Sequence, residues 1–385
     1  MLTKQTTCSK CVMDISDPLI SFDEHGICNH CYSLAQKYVA LDPATLAMHR
    51  YHIMEEIRKR GKDYTYDAII GLSGGIDSSY VAYLAWKFGL QVLMIHLDNG
   101  WNTPIADQNM QAIKKITGFD LEIFKVDPAE YRDIQLAYLE ASVVDIEAPT
   151  DHAILGVLYK YALKHNVKTI LTGRNVNTEG VGVTSWGYRK NDLANIQNIH
   201  KKFGELPMKT FPKAGIGRLT YWRIFKRIKE IDFLNYFAYN KEKAKNILIR
   251  ECGWQEYGGK HDESLWTKFY QRYILFVKFR IDKRKPELSA LIGARQMTRE
   301  EALEELRNSP YPVEEIERDL PKIIAKLQIS RSQFNHYMGK PPVSHKAYGT
   351  DDKLRIILRL FSVLRNPTIL FNQIKRFQAH RKSTR

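Results

Sequence analysis

The pattern of hydrophobic and polar positions divides the chain into an alternating first half and a helical second half. From Tyr66 onward, four short apolar runs predict buried strands at residues 67–72, 91–97, 121–126 and 167–172. Apolar residues at helical spacing separate these runs, at residues 81–88, 107–117 and 154–165. Strands that alternate with helices predict an α/β, Rossmann-like fold, in which a parallel sheet is covered on both faces.

Helices dominate after Ile231, where the strand pattern fades. The clearest helix is predicted at residues 299–306, with Thr298 as its N-cap. At the end of the chain, residues 341–385 hold ten Lys or Arg against two Asp. Apolar residues recur there at helical spacing: Leu354, Ile357, Leu358, Phe361 and Leu364. We expect this apolar face to pack on the body of the protein, and peripheral contact with an acidic membrane surface is the alternative.

Composition narrows the class of protein without choosing a function. The chain has 385 residues and a formal net charge of +15, which favours anionic partners such as nucleotides, sugar nucleotides, RNA or acidic lipids. Its first residues lack the apolar core of a signal peptide, and no run of eighteen apolar residues occurs. We therefore expect neither secretion nor a membrane span, and we predict a cytoplasmic protein.

Four of the five cysteines form two C-x-x-C pairs near the start of the chain. Cys8 and Cys11 are separated by sixteen residues from Cys28 and Cys31. This spacing is typical of a small four-thiolate metal knuckle in a reducing compartment. Four thiolates leave no open position for water, so we predict a structural site that holds zinc, with iron as the alternative.

The stretch after the first predicted strand carries the strongest chemical signal. Ser73-Gly74-Gly75-Ile76-Asp77-Ser78 joins a buried strand to a helix. Its glycines allow a ligand close to the backbone, the hydroxyls of Ser73 and Ser78 can donate, and a helix start supplies free N–H groups. Such a loop fits pyrophosphate, and the alternative is a plain strand-to-helix turn.

Asp77 has a carboxylate beside the expected triphosphate, which makes sense where Mg²⁺ screens the repulsion. We predict that it binds magnesium, and an N-cap role for Asp77 is the alternative. The ends of the neighbouring strands converge on the same edge, so Asp98 and Gly173 are predicted to contact the nucleotide. A metal ligand or a plain turn aspartate is the alternative for Asp98. Arg174 is a candidate for phosphate binding.

Two further stretches combine charge with aromatic or glycine residues. Residues 201–229 hold nine Lys or Arg interleaved with aromatic residues, which suits RNA or a diphosphate, although a solvated helix face is the simpler interpretation. The segment Tyr257-Gly258-Gly259-Lys260-His261-Asp262-Glu263-Ser264 places ionisable groups after a glycine turn. It either reaches the active site or only links two helices.

Together these patterns resemble known families at two levels. S-G-G-x-D-S after a strand resembles the PP-loop of the ATP pyrophosphatase superfamily, which has the adenine nucleotide alpha hydrolase-like fold. The ordered set that includes the knuckle, HLDNGWNT, APTDHAI, YGGKHDES and KFRIDKRKPELSALI resembles the N-acetyl sugar amidotransferase family, the WbpG-like proteins. We predict five segments: a zinc knuckle (1–35), a helical linker (36–62), a PP-loop domain (63–230), a helical domain (231–340) and a basic amphipathic tail (341–385).

The resemblance implies an ATP-dependent amidotransferase of bacterial surface polysaccharide synthesis, such as that of lipopolysaccharide O-antigen. An acetamido group on a sugar, typically a nucleotide-linked one, would be adenylated with release of pyrophosphate and then converted by ammonia into an acetamidino group. Ser73, Ser78 and Asp77 would support this step, with Gly74 and Gly75 holding phosphate. Cys252 does not lie in a glutaminase motif, so we expect a separate glutaminase subunit to supply ammonia.

Two other function classes stay open at this point. A tRNA-modifying PP-loop enzyme of the lysine-ligating or thiolating kind would use the basic surface to hold RNA. A thiolating enzyme normally needs a further cysteine pair, and only Cys252 remains outside the knuckle. A non-catalytic adaptor that has kept a nucleotide fold is the third class, and an intact S-G-G-x-D-S loop disfavours it.

Overall fold

The computed structural model describes residues 6–39, 42–259 and 261–365 of the chain. Within these residues one parallel five-stranded sheet forms, in the order β3-β2-β1-β4-β5. Its strands are β1 (Ala68–Gly71), β2 (Val92–Asp98), β3 (Asp120–Lys125), β4 (Thr169–Thr172) and β5 (Lys229–Asp232). The predicted α/β fold is confirmed, and β5 adds a strand that the apolar pattern missed.

Helices cover both faces of the sheet and precede it. The helices up to β5 are α1 (Asn29–Val39), α2 (Pro43–Gly61), α3 (Ile76–Lys87), α4 (Pro104–Thr117), α5 (Pro128–Ala141), α6 (Ala148–Lys164), α7 (Val176–Glu179), α8 (Leu193–Phe203) and α9 (Ile216–Ile224). Both α3 and α6 pack on the central strands. The central strand β1 is buried between them, with Ile69 opposite Leu93 on one side and Ile170 on the other.

The part after β5 is helical, as the sequence predicts. Its helices are α10 (Lys241–Cys252), α11 (Leu265–Phe269), α12 (Leu275–Phe279), α13 (Arg284–Gly293), α14 (Arg299–Arg307), α15 (Val313–Leu327), α16 (Arg331–Gly339) and α17 (Asp352–Arg365). Thr298 caps α14 through a reciprocal pair of hydrogen bonds with Glu301, which confirms the predicted cap.

The apolar face of α17 differs from our expectation. Leu354 is 43% exposed and Ile357 is 61% exposed, so the prediction that these two side chains pack on the body of the protein is wrong. The side chains of Phe361 and Leu364 lie outside the described residues, as does the chain after Arg365. Membrane contact through this tail stays a prediction. Among the described residues, no helix combines the length and apolar character that a bilayer crossing requires.

The order of the strands fixes where a ligand can bind. The chain runs from β1 outward to β2 and β3, and then returns to place β4 on the other side of β1. The point where the winding direction reverses lies between β1 and β4, and open parallel sheets bind ligands at the carboxyl ends of the strands there. The loop after β1 and the loop after β4 flank this point.

Candidate active site

The loop from Ser73 to Ser78 connects β1 to α3 in a conformation that requires glycine. Gly74 has a φ of +82°, and a Cβ at this position would collide with the backbone carbonyl of Ala106. The Gly74 carbonyl oxygen accepts hydrogen bonds from Trp254 Nε1 at 3.0 Å and Asn109 Nδ2 at 3.4 Å. The loop is thus held in place by two buried side chains.

The two predicted hydroxyls of the loop meet each other. Ser73 Oγ lies 3.1 Å from Ser78 Oγ, and Ser78 Oγ also accepts the backbone N–H of Ser73 at 3.2 Å. The Gly75 N–H donates to Ser73 Oγ at 3.2 Å. Hydroxyls and backbone N–H groups therefore converge at the start of α3, where the helix dipole favours an anion.

Asp77 lies in the first turn of α3 and is held by a buried tyrosine. Tyr239 donates its hydroxyl hydrogen to Asp77 Oδ1. Burial, with Asp77 close by, raises the pKa of Tyr239 well above its usual range, so the hydroxyl stays a donor. The N-cap of α3 is Gly75, so the alternative role of Asp77 as the cap is wrong. One carboxylate beside a phosphate loop fits Mg²⁺, which usually binds one or two carboxylates together with substrate phosphates.

The segment from Tyr257 to Ser264 reaches the loop across the sheet edge. The hydroxyl of Tyr257 accepts the N–H of Ile76 at 3.2 Å, and Ser73 Oγ donates to Glu263 Oε1 at 3.4 Å. Burial raises the pKa of Tyr257 above its usual range. The segment therefore contacts the predicted phosphate loop and does more than link two helices, although Lys260 lies outside the described residues.

Asp262, in the same segment, pairs with Arg272 at 2.7 Å. Burial raises the pKa of Asp262 to about 6, against the opposing effect of Arg272. This ion pair ties the segment to the helical part of the chain.

The other predicted site residues are distributed around the same edge. A Cβ on Gly173 would lie 3.1 Å from the Cβ of Asp77, so the loop after β4 touches the loop after β1. Asp98 Oδ1 accepts the N–H of Gly100 at 2.9 Å, as a turn aspartate does. Arg174 donates to Asp232 at 2.9 Å and to Glu230 at 3.1 Å, so two carboxylates compete with any phosphate. Nucleotide binding by these three residues stays a prediction.

The four knuckle cysteines come together at one point. Their Sγ atoms all lie within 4.8 Å of one another, and the residues are buried: Cys8, Cys11, Cys28 and Cys31. Four convergent thiols fit a tetrahedral metal ion, so the cluster suits the predicted structural site. Arg299 of α14 donates to the carbonyl oxygens of Cys8 and Cys11, which fixes the knuckle to the helical part of the chain. That the metal is zinc stays a prediction.

Sequence reasoning missed two residues that lie beside the loop. Asn109 and Tyr239 carried no motif, and each contacts the loop or Asp77 only through the tertiary fold, whereas Trp254 belonged to the predicted landmark at residues 252–264. The aromatic residues beside glycine turns, as in Cys252-Gly253-Trp254, were the one available signal. Of the basic residues of 201–229, Lys229 begins β5, away from the carboxyl ends of the strands, and pairs with Glu56 at 2.7 Å.

Two protein-family models match this chain, one over the PP-loop and most of the sheet and the other over most of the helical part. Residues 48–210 match the model of the NAD synthase family. Residues 263–364 match the "LPS biosynthesis protein WbpG-like, C-terminal domain". The part of the chain that carries the loop and the strands β1 to β4 is therefore similar to the NAD synthase family. The helical part is similar to the WbpG-like C-terminal domain, which confirms the predicted resemblance to the WbpG-like PP-loop proteins.

Individual relatives are more distant. An NH(3)-dependent NAD(+) synthetase of Pyrococcus horikoshii is 28% identical over 160 residues, which cover 39% of this chain and 57% of that protein. The chain thus spans little more than half the length of that relative. Among solved structures, the NH3-dependent NAD synthetase of Campylobacter jejuni is 16% identical with a TM-score of 0.29, covering 53% of this chain and 87% of its own.

The U34-tRNA thiolase NcsA of Methanococcus maripaludis is also similar, at 13% identity and a TM-score of 0.21 over 66% of this chain and 84% of its own. At such TM-scores neither superposition bears on function.

Proposed function

We propose that this chain is an ATP-dependent amidotransferase that converts an acetamido group of a sugar into an acetamidino group. The observation that carries the proposal is the contact between the PP-loop and the WbpG-like domain. The WbpG-like match begins at Glu263, whose carboxylate accepts a hydrogen bond from Ser73 of the loop. The part of the chain that resembles sugar-modifying proteins therefore meets the part that resembles ATP-using amide ligases.

The residues of the loop suit the first chemical step. The amide oxygen of the acetamido group attacks the α-phosphorus of ATP, and pyrophosphate leaves with the electrons of the broken P–O bond. Ser73, Ser78 and the backbone N–H groups of the loop bind the departing phosphates, as preorganised donors stabilise developing charge. Asp77 would hold Mg²⁺, which neutralises phosphate charge when bound. The result is an adenylated imidate, whose carbon is a better electrophile than that of the amide.

Ammonia completes the reaction, and we propose that a separate glutaminase subunit supplies it. All five cysteines are described, four of them in the knuckle cluster. The fifth, Cys252, is 5% exposed, and burial raises the pKa of its thiol to about 11. A protonated, buried thiol is a poor nucleophile, which supports an external source of ammonia.

A cavity of about 530 Å³ beside the site offers a place for the sugar. It begins at Asn240, next to the tyrosine that holds Asp77, and at Gly259, within the segment that covers the loop. Gln271, Asp282 and Gln296 also line it. Amide and carboxylate groups bind sugar hydroxyls well, and most of the lining belongs to the WbpG-like domain.

Mass spectrometry of the product tests the proposal. The purified chain is given ATP, Mg²⁺ and a panel of nucleotide-linked N-acetylated sugars, with either ammonium or glutamine. We expect a product lighter by the difference between O and NH, with ammonium and not with glutamine. Product formed from glutamine would remove the separate glutaminase. No amidine with any sugar, together with turnover of tRNA, would replace the sugar with RNA as the substrate.

A further inference from the structure

A second polar cluster, formed around Glu147, lies at the same edge of the sheet as the PP-loop. Glu147 directly precedes α6 and is 6% exposed. One carboxylate oxygen accepts a hydrogen bond from Thr150 Oγ1 at 3.1 Å, and the other accepts one from Thr267 Oγ1 at 2.7 Å. A buried carboxylate with two hydroxyl donors is polar and preorganised, yet no salt bridge to Glu147 occurs among the described residues.

Hydrogen bonds connect this carboxylate to the end of β2. Thr150 Oγ1 lies 2.6 Å from the hydroxyl of Tyr131, and Asn99 Nδ2 donates to that hydroxyl at 3.3 Å. Asn99 directly follows the last residue of β2. The Glu147 cluster is therefore part of the edge at which the strand ends converge.

A second path leads from Glu147 to the PP-loop. Thr267 Oγ1 also lies 3.2 Å from Ser264 Oγ, and the residue before Ser264 is Glu263, which contacts Ser73. Three side chains of one short segment thus span the distance from the carboxylate to the loop.

Buried donors next to the cluster have no partner. Among the described residues, Trp266 Nε1 and Gln135 Nε2 make no hydrogen bond, although both residues are at least 97% buried. Trp266 precedes Thr267, and Gln135 follows Tyr131 by one helical turn on α5. Trp101 connects them, because its Nε1 donates to Gln135 Oε1 and its ring packs on Trp266. Unpaired buried donors commonly mark the place of a small polar molecule.

The charges around Glu147 favour a proton acceptor that works near neutral pH. Burial, and then the charge of Asp151, raise the pKa of Glu147 to about 7. The hydroxyls of Thr267 and Thr150, and the charge of Lys190, act in the opposite direction. The titratable groups that face this region are Asp145, Asp151, Lys190, Tyr131 and Tyr270.

We infer that Glu147 is the general base that takes a proton from ammonium as the nitrogen attacks the adenylated imidate. The assignment rests on the proposed function. Ammonium gives one proton to the carboxylate, and the freed lone pair forms the C–N bond. The C–O bond to AMP then breaks, AMP leaves with the electron pair, and the product departs as an amidinium cation. Glu147 returns its proton to solvent before the next turnover.

The test uses Glu147→Gln in the full chain, with two nitrogen nucleophiles. We expect kcat/KM for ammonium near neutral pH to fall about 10²- to 10⁴-fold, the usual contribution of a general base. The deficit should shrink as pH rises, because free ammonia then replaces ammonium. Hydroxylamine is largely unprotonated at neutral pH, so the variant should use it nearly as well as the wild type.

Two further variants separate catalysis from folding. Thr267→Val removes a hydrogen bond to the carboxylate, so the acid limb of the pH profile should shift to higher pH. Glu130→Gln alters a buried glutamate of α5 that accepts the N–H groups of Thr210 and Phe211, and it should leave the pH profile unchanged.

An equal loss with both nucleophiles, or an unchanged profile for Glu147→Gln, would overturn the assignment. A wild-type chain that forms no amidine with any sugar would overturn the proposed function and this assignment with it, so the two failures are distinguishable.

Discussion

The knuckle and the PP-loop are both compact polar motifs, but their surroundings differ. The knuckle cysteines lie within 23 residues of one another, their sulfur atoms face each other, and Arg299 contacts only their backbone. The PP-loop shares its donors with side chains about 180 residues away, such as Tyr257 and Glu263. Four thiols that face only one another leave no place for a substrate. The donors of the PP-loop face another part of the chain, so a substrate can bind between the two parts. Under the proposed function, the knuckle contributes stability and the loop contributes chemistry.

Breaking the knuckle should have the largest effect on stability. Cys11→Ser removes one of four thiolates, and a small segment without its own core depends on the metal for folding. We expect the free energy of unfolding to fall by about 4 kcal/mol or more, with loss of bound metal. Cys252→Ser, at a buried thiol outside the cluster, is the matched control and should keep its metal. Metal content and thermal melting of both variants measure the outcome, and a Cys11→Ser chain with full metal content would contradict it.

Breaking the loop should have the largest effect on activity. Asp77→Asn keeps the acceptor for Tyr239 but removes the charge, so the rate of pyrophosphate release should fall about 10²- to 10³-fold. The melting temperature should change little, in contrast to Cys11→Ser. Asp63→Asn, at an exposed turn before β1, serves as the control. Equal activity of the two Asn variants would show that Asp77 has no part in the reaction.

Replacing Glu147 should raise the free energy of unfolding, whereas replacing a knuckle cysteine should lower it. A residue kept for chemistry can cost stability. The Glu147 pKa of about 7 lies above the ordinary value of 4.5. The Glu147 carboxyl therefore loses its proton at lower pH in the unfolded chain than in the folded chain. Stability is lost as pH rises from about 4.5 through the folded pKa of about 7. Glu147→Gln should then be more stable than the wild type by about 1 to 3 kcal/mol at pH 8. The gain should vanish toward pH 4.5, as urea unfolding at several pH values would show; a gain that does not change with pH would contradict the raised pKa.

The cavity beside the loop should give the smallest effect. Gln271 lines this cavity, so Gln271→Ala should mainly remove a hydrogen bond to the sugar. We expect KM for the sugar to rise about 5- to 10-fold, which corresponds to about 1 kcal/mol, with KM for ATP unchanged. Gln108→Ala, on the exposed side of α4, is the control. An unchanged KM for the sugar would place the sugar elsewhere.

The fold and the loop could be predicted because their determinants are local. Apolar runs such as Ala68–Gly71 and Val92–Asp98 are buried almost throughout, so they can be recognised as strands without knowledge of their neighbours. The strand β5 was missed because only Ile231 of its four residues is buried, and its charged residues pair with groups from other elements. An edge strand of this kind takes its conformation from the neighbouring strand.

The surroundings of the site could be predicted only in part. Glycines and ionisable groups made the segment from Tyr257 to Ser264 a candidate for contact with the site. Nothing in the sequence predicts the hydrogen bond between Tyr257 and Ile76. Glu147 directly precedes the stretch APTDHAI but belongs to no catalytic motif, and its pKa depends on burial and on Asp151. Such contacts arise from tertiary packing over long sequence separations, which periodicity and spacing do not report.

Pyrophosphate release from ATP and Mg²⁺ tests the central claim most directly, with ammonium present and with either a panel of N-acetylated nucleotide sugars or bulk tRNA. The account predicts release that depends on one of the sugars, is indifferent to tRNA, and is lost in Asp77→Asn. Release that depends on tRNA alone would contradict the claim that this PP-loop acts on a sugar.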